Sequence, residues 1–102
     1  MIDSVKVGPF RYAVAYEERL QSDNMERLSG QARHMENRIL LDPLPCQDRQ
    51  IETLWHETLH VIADVLNVSL PEDDVCRLSM GLVMVMRDNP DLVKHTMSDS
   101  DA

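Results

Sequence analysis

The sequence predicts an α+β fold in which a small antiparallel sheet packs on two antiparallel helices. Short apolar segments typical of strands lie within the first 41 residues, whereas helical periodicity begins near residue 46 and continues to about residue 88. The chain has 102 residues, which is enough for one domain and too few for two. We therefore expect a single domain over residues 1–97, followed by a frayed acidic tail at residues 98–102.

Three segments have the composition of strands. Residues 5–7 are short and apolar, and Gly8-Pro9 marks a turn that would join them to residues 10–16 in a hairpin. Residues 38–41, Arg-Ile-Leu-Leu, form the third segment. This segment ends before Pro43, because proline has no N–H to donate to a neighbouring strand.

Two amphipathic helices are predicted in the second half of the chain. The second helix begins near Pro71, where acidic residues at positions 72–74 lie at the positive end of the helix dipole, and it ends at about Asp88. Residues 91–97 could add one or two further turns. The first helix covers about residues 46–66, and its apolar stripe recurs at spacings of three and four residues: Ile51, Leu54, Trp55, Leu59, Ile62, Ala63 and Leu66.

Composition excludes several classes of function. The chain has 10 basic and 18 acidic residues, a formal net charge of −8, which disfavours nucleic acids and anionic membrane surfaces as partners. No apolar run approaches the roughly 20 residues of a membrane span, and the N-terminus has no signal-peptide pattern. Cys46 and Cys76 lie outside any C-x-x-C motif, which favours a reducing compartment. We therefore expect a cytoplasmic protein.

One motif carries chemistry: His56-Glu57-Thr58-Leu59-His60 matches H-E-x-x-H. Residues four apart lie on the same face of a helix, about 6 Å between Cα atoms, so both imidazoles can bind one zinc ion. Glu57 would lie beside the open position of the metal and take a proton from its water. The motif predicts a Zn²⁺ site with Glu57 as the catalytic residue. The alternative is a pair of partly buried histidines beside a solvated carboxylate.

A zinc site that keeps a position open for water needs a third protein ligand. Glu72 is our prediction, because it lies 12 residues past His60, where a short loop between antiparallel helices would return it to the histidines. Asp73 could do the same. Cys76 would give a His-His-Cys site, although cysteine in an apolar helical stretch is more often a core residue. Asp64 lies too far along the first helix to share the ion with both histidines.

Residues 30–92 resemble small phage- and prophage-encoded zincin-like proteins, which are distant relatives of the ImmA/IrrE group of metallopeptidases. The H-E-x-x-H is the specific part of the resemblance, and the other matching features are softer. The resemblance rests on the run Leu54-Trp55-His56-Glu57-Thr58-Leu59-His60, the pattern Glu72-x-x-Val75-x-x-Leu78-Ser79, Gly81-Leu82 and Arg87-Asp88-Asn89-Pro90.

The resemblance implies a short sheet beside an active-site helix. It also implies that His56 and His60 bind zinc, that Glu57 is the general base, and that Glu72 completes the site. In zincins an edge strand above the metal holds an extended peptide or protein substrate by strand addition. We place Arg38, Ile39 and Leu40 at that edge; the alternative is an ordinary strand that ends before Pro43.

These observations favour a minimal zinc-dependent metallopeptidase that hydrolyses peptide bonds with a metal-activated water. Two alternatives belong to other classes. In the first, zinc ties the two helices together in a non-catalytic partner-binding protein, such as a phage accessory protein or modulator. In the second, the acidic surface engages a basic host protein.

The remaining candidate side chains carry weaker signals. His34 and His95 lie outside any ligand spacing, and we expect both at the surface, with an oxyanion-donor role as the alternative for His34. Met80, Met84 and Met86 indicate packing in the core or at an interface, and this apolar surface could support a homodimer.

Overall fold

Strands precede helices along the chain, which confirms the predicted α+β class. The computed structural model describes residues 2–98, so residues 99–102 of the predicted acidic tail lie outside this range. The described elements are, in chain order, β1 (Ser4–Val7), β2 (Phe10–Tyr16), β3 (Gly30–Arg33), β4 (Arg38–Leu41), α1 (Gln47–Leu66), α2 (Glu72–Asp88) and α3 (Pro90–Met97).

The four strands form one mixed sheet with the order β1-β2-β4-β3. β1 pairs antiparallel with β2, and β3 pairs antiparallel with β4, but β2 and β4 run parallel. The prediction of a purely antiparallel sheet is therefore wrong at one pair. The reason is burial: β4 carries Ile39, Leu40 and Leu41, all at most 3% exposed, and an inner position covers these side chains better than an edge would.

The same topology corrects the predicted substrate strand. Arg38, Ile39 and Leu40 lie on β4, which is hydrogen-bonded to β2 on one side and to β3 on the other. An inner strand has no free backbone groups with which to add a further strand. On this side of the sheet the edge strand is β3, which the sequence analysis left unassigned.

Helix boundaries follow the local sequence signals. α1 ends at Leu66 because Asn67 adopts a left-handed backbone with φ 56°, a conformation that commonly follows the last helical residue. α2 begins at Glu72, directly after Pro71, and its first turn carries three acidic residues. α3 begins at Pro90, whose missing N–H is tolerated in the first turn. None of the helices within residues 2–98 is long and apolar enough to cross a membrane.

The core lies between the sheet and α1. Tyr12, Ile39, Leu41 and Val61 form the buried cluster, and each is at most 2% exposed. α2 packs against α1 and α3 but makes no contact with any described strand. α1 is therefore the central layer, with the sheet on one side of it and α2 on another.

Part of the apolar surface of α2 is not covered within the described chain. Leu78, Leu82 and Val85 are between 39% and 49% exposed, and Met80 and Met84 are 49% and 62% exposed. A core position for these two methionines is therefore wrong, whereas Met86 is half-buried. The buried side of α2 consists of Val75, Ser79 and Val83.

Gly30, at the start of β3, lets this strand lie directly against α1. A Cβ atom at position 30 would lie 2.6 Å from Thr53 Cγ2 and 3.2 Å from Glu57 Cγ. The first distance is far below an ordinary carbon–carbon contact. The absence of a side chain at this position therefore sets how closely β3 approaches the H-E-x-x-H segment.

Substitution of this glycine tests the close approach. We expect Gly30→Ala to lower the free energy of unfolding by about 1–3 kcal/mol, because the added methyl group must displace Thr53 or the strand. Gly81→Ala is the matched control, since nothing lies within 4 Å of a Cβ at that helical position. It should raise the free energy of unfolding by about 0.5–1 kcal/mol through helix propensity. Urea unfolding measures both; equal effects of the two substitutions would contradict the close packing of β3 on α1.

Candidate metal centre

Two imidazoles converge on the exposed side of α1. His56 and His60 are one turn apart, and their Nε2 atoms lie 3.2 Å from each other. The ring planes are inclined at 69°, with the centroids 4.9 Å apart. Both Nε2 atoms are thus directed toward the same point beside the helix.

Glu72 supplies a third donor from the other helix. As the first residue of α2, it follows the short connection after α1 and returns to the middle of that helix. Its Oε1 lies 2.7 Å from His56 Nε2, and its Oε2 lies 3.0 Å from His60 Nε2. The donor atoms of His56, His60 and Glu72, which we call the three-donor group, all lie within 4.8 Å of one another. Asp73 and Cys76, the alternatives left open by the sequence, are outside this group.

The three side chains could bind a metal ion. Zinc binds histidine nitrogen and carboxylate oxygen at about 2.0–2.2 Å, which places tetrahedral ligand atoms about 3.3 Å apart. The two histidine Nε2 atoms lie 3.2 Å apart, close to that value, and each lies within 3.0 Å of a different oxygen of Glu72. A set of two nitrogens and one oxygen also leaves a coordination position for water or substrate, as in catalytic zinc sites. The donor geometry therefore fits the ion.

Burial lowers the pKa of the His60 imidazole. The negative charge of Glu72 raises this pKa, whereas the nearby His56 lowers it further. A lower pKa favours the neutral ring, whose unprotonated nitrogen can donate its lone pair to a metal. Glu72 itself is 64% exposed, so the centre opens to solvent on the α2 side.

The side chain of Glu57 lies between α1 and β3, next to the three-donor group. It is 7% exposed, and its Oε2 lies 4.0 Å from His56 Nε2. Burial, with a further contribution from the negative charge of Glu72, raises the pKa of Glu57 from 4.5 to about 7, while a hydrogen bond from the backbone of Ala32 opposes the shift. A carboxyl group with a pKa near neutrality can both accept and return a proton at physiological pH.

The edge of β3 presents free backbone groups beside this site. The N–H of Asp42 donates to the carbonyl of Ser29 at 2.9 Å, and these two residues are opposite one another in the β3–β4 register. Hydrogen-bonded and non-hydrogen-bonded pairs alternate in antiparallel sheets. The N–H and C=O groups of Gly30 and Ala32 therefore point away from β4, which agrees with the hydrogen bond from Ala32 to Glu57.

Two surface depressions meet at the three-donor group. One, of about 330 Å³, extends past Arg27, Glu52 and Met80. The other, of about 370 Å³, extends past Gln31 and His34. Residues common to both linings are Leu28, Gly30, His56, Glu57 and Glu72. The candidate centre thus lies at the middle of an open surface bordered by β3.

The side chain of His34 has polar neighbours that the sequence did not predict. Its side chain is 35% exposed, and its Nδ1 lies 2.9 Å from the hydroxyl of Tyr12 and 3.8 Å from Asp64 Oδ2. No spacing signal could reveal this, because 22 residues separate His34 from Tyr12. His95 is exposed on α3, as expected.

Comparison with known proteins found no matching family model, no similar curated protein and no similar solved structure. The functional conclusion therefore depends on the residues and geometry of the site.

Metal content tests the three-donor group. We expect about one zinc ion per chain in wild type purified without a His-tag, and almost none in His60→Ala or Glu72→Ala, because two donors hold the ion weakly. Asp73→Ala is the matched control: it removes the adjacent carboxylate of α2 and should retain zinc. Inductively coupled plasma mass spectrometry gives the stoichiometry. Zinc loss in Asp73→Ala but not in Glu72→Ala would contradict the assignment of the third donor.

The raised pKa of Glu57 predicts a pH dependence of stability in the metal-free protein. Between pH 4.5 and about 7 the unfolded chain has released this proton and the folded chain retains it, so rising pH favours unfolding. Wild type should lose up to about 3 kcal/mol relative to Glu57→Gln across this range. Denaturant unfolding in chelator at several pH values measures the difference, and parallel pH curves for the two proteins would contradict the raised pKa.

Proposed function

We propose that this chain is a minimal zinc-dependent peptidase of the zincin type, related to the small phage proteins that its sequence resembles. The observation that carries the proposal is the position of Glu57. This buried carboxyl group lies 4.0 Å from one histidine of the three-donor group. A structural metal site would not need a proton acceptor beside it.

The donor set supports zinc as the metal. His56, His60 and Glu72 would hold the ion, and two histidines with one glutamate are a known catalytic zinc ligand set. When bound, zinc would supply Lewis acidity, lowering the pKa of a water molecule and polarising a peptide carbonyl.

Glu57 would move the proton in both halves of the reaction. In the first, its carboxylate accepts a proton from the attacking water as the water oxygen forms a bond to the carbonyl carbon. In the second, the carboxyl group returns that proton to the peptide nitrogen as the carbon–nitrogen bond breaks. The carboxylate is regenerated, and the products are a carboxylic acid and an amine.

The substrate would bind as an additional strand on β3. Gly30 directs its N–H and C=O toward the free edge, and Ala32 directs its C=O there, so an extended peptide could pair with these groups and lie across the three-donor group. Main-chain pairing holds a peptide without selecting its side chains. Selection would then depend on the two depressions on either side of the centre.

A second proposal has its own supporting observation. Glu72 connects α2 to both histidines of α1, and α2 contacts no described strand. A metal bound there would tie α2 to the rest of the domain. The exposed apolar side chains of α2 would then serve a non-catalytic partner-binding protein, such as a phage accessory protein.

Substitution of Glu57 separates the two proposals. Glu57→Gln should lower the rate of peptide hydrolysis by about 10²–10⁴-fold, because the amide cannot accept the proton, while zinc content stays at the wild-type level. The assay uses zinc-loaded protein and a quenched-fluorescent random peptide library. Glu18→Gln, at an exposed loop position, is the matched control. Hydrolysis that survives Glu57→Gln would refute the mechanism, and a zinc-loaded wild type without hydrolysis would favour the partner-binding proposal.

A further inference from the structure

A second polar cluster lies beside the candidate metal centre, and the proposed mechanism does not use it. Tyr12 on β2, His34 directly after β3 and Asp64 near the end of α1 come together from three elements. The Tyr12 hydroxyl lies 2.9 Å from His34 Nδ1, and Asp64 Oδ2 lies 3.8 Å from the same nitrogen. The Tyr12 hydroxyl is therefore within hydrogen-bond distance of this ring nitrogen, and the Asp64 carboxylate lies beyond that distance.

The partner of the Tyr12 hydroxyl determines which ring nitrogen carries the proton. Tyr12 is 2% exposed, and burial, with a contribution from Asp64, raises the pKa of its phenol, so the hydroxyl keeps its hydrogen. Among residues 2–98 the hydrogen-bond partner of this hydroxyl is Nδ1 of His34, and the tautomer of the ring sets which of the two groups donates. When Tyr12 donates to Nδ1, the neutral ring of His34 carries its own proton on Nε2.

The ring of His34 borders the site of the proposed reaction. It lines the same depression of about 370 Å³ as His56, Glu57, His60 and Glu72. If Tyr12 donates to Nδ1, Nε2–H is the polar group that the ring has left for a molecule in this depression. His34 is outside the three-donor group and is not needed to hold a metal.

We propose that His34 donates a hydrogen bond from Nε2 to the carbonyl oxygen of the peptide bond under attack, with Tyr12 as the positioning residue that holds the required tautomer. This inference rests on the proposed peptidase function. Negative charge develops on that oxygen when water adds to the carbonyl carbon, and a donor fixed in advance stabilises it without reorganisation.

Kinetics of zinc-loaded variants test whether His34 donates this hydrogen bond. His34→Ala should lower kcat for the quenched-fluorescent peptide library by about 10²–10³-fold with little change in KM, because the hydrogen bond strengthens only as charge develops. His34→Gln, which retains an N–H donor, should recover part of this loss. Zinc content should match wild type in both variants. His95→Ala, at an exposed histidine of α3, is the matched control and should leave kcat unchanged.

A second measurement needs neither metal nor turnover. Nitrogen-15 NMR of the metal-free protein at pH 8 reports which nitrogen of the neutral His34 ring carries the proton. We expect the Nε2–H form in wild type and a mixture of both forms in Tyr12→Phe, which keeps the buried ring and removes the hydroxyl. Tyr12→Phe should also lower kcat, by less than His34→Ala does.

The outcomes separate this inference from the function on which it rests. Zinc binding and hydrolysis that persist unchanged in His34→Ala would overturn the inference and leave the peptidase proposal intact. An Nδ1–H ring in metal-free wild type would also overturn it alone. A wild-type chain that binds no zinc, or binds zinc without hydrolysing any peptide of the library, would overturn both.

Discussion

The rotation of α1 about its own axis decides where His56, Glu57 and His60 of the candidate centre lie. Val61 belongs to the buried cluster and Leu54 packs against it, so this side of the helix must face the sheet. Successive helical residues are turned by about 100°. Glu57 is consequently directed toward β3, while His56 and His60 are directed toward the start of α2. Packing of α1 on the sheet therefore directs Glu57 and His56 to different sides of the helix, although the two residues are adjacent in sequence.

The position of Glu57 has a physical cost that the neighbouring strand partly offsets. A buried carboxylate close to a second one is unfavourable, and both effects raise the pKa of this group to about 7. The hydrogen bond from Ala32 stabilises the charged form, and Gly30 provides the close approach that brings this strand to the helix. The edge strand thus affects the charge state of Glu57, and in the proposed peptidase it would also offer a surface for a peptide. A cation bound by the three donors would further stabilise the carboxylate.

The strand order of the mixed sheet places β3 at an edge. β4 carries the apolar side chains and takes the inner position, which leaves the more polar β3 with one free side. That free side lies next to the histidines of α1, and His34 follows where β3 ends. The turn after β3 thereby brings His34, the hydrogen-bond partner of Tyr12, to the same depression as the three-donor group. The inner position of β4 and the edge position of β3 therefore follow from the same strand order.

The sequence by itself determined the α+β class, the helix boundaries and the pairing of His56 with His60, because helical periodicity, capping signals and the spacing of four residues are local properties. It also identified Glu72, but adjacent Asp73 had the same local signals, and only the path of the chain between α1 and α2 decided which carboxylate reaches the histidines. The parallel pairing of β2 with β4, the edge position of β3 and the contact of Tyr12 with His34 were decided by the tertiary structure. Each joins segments distant along the chain, and their relative position depends on which surfaces the whole domain buries, which no local pattern specifies.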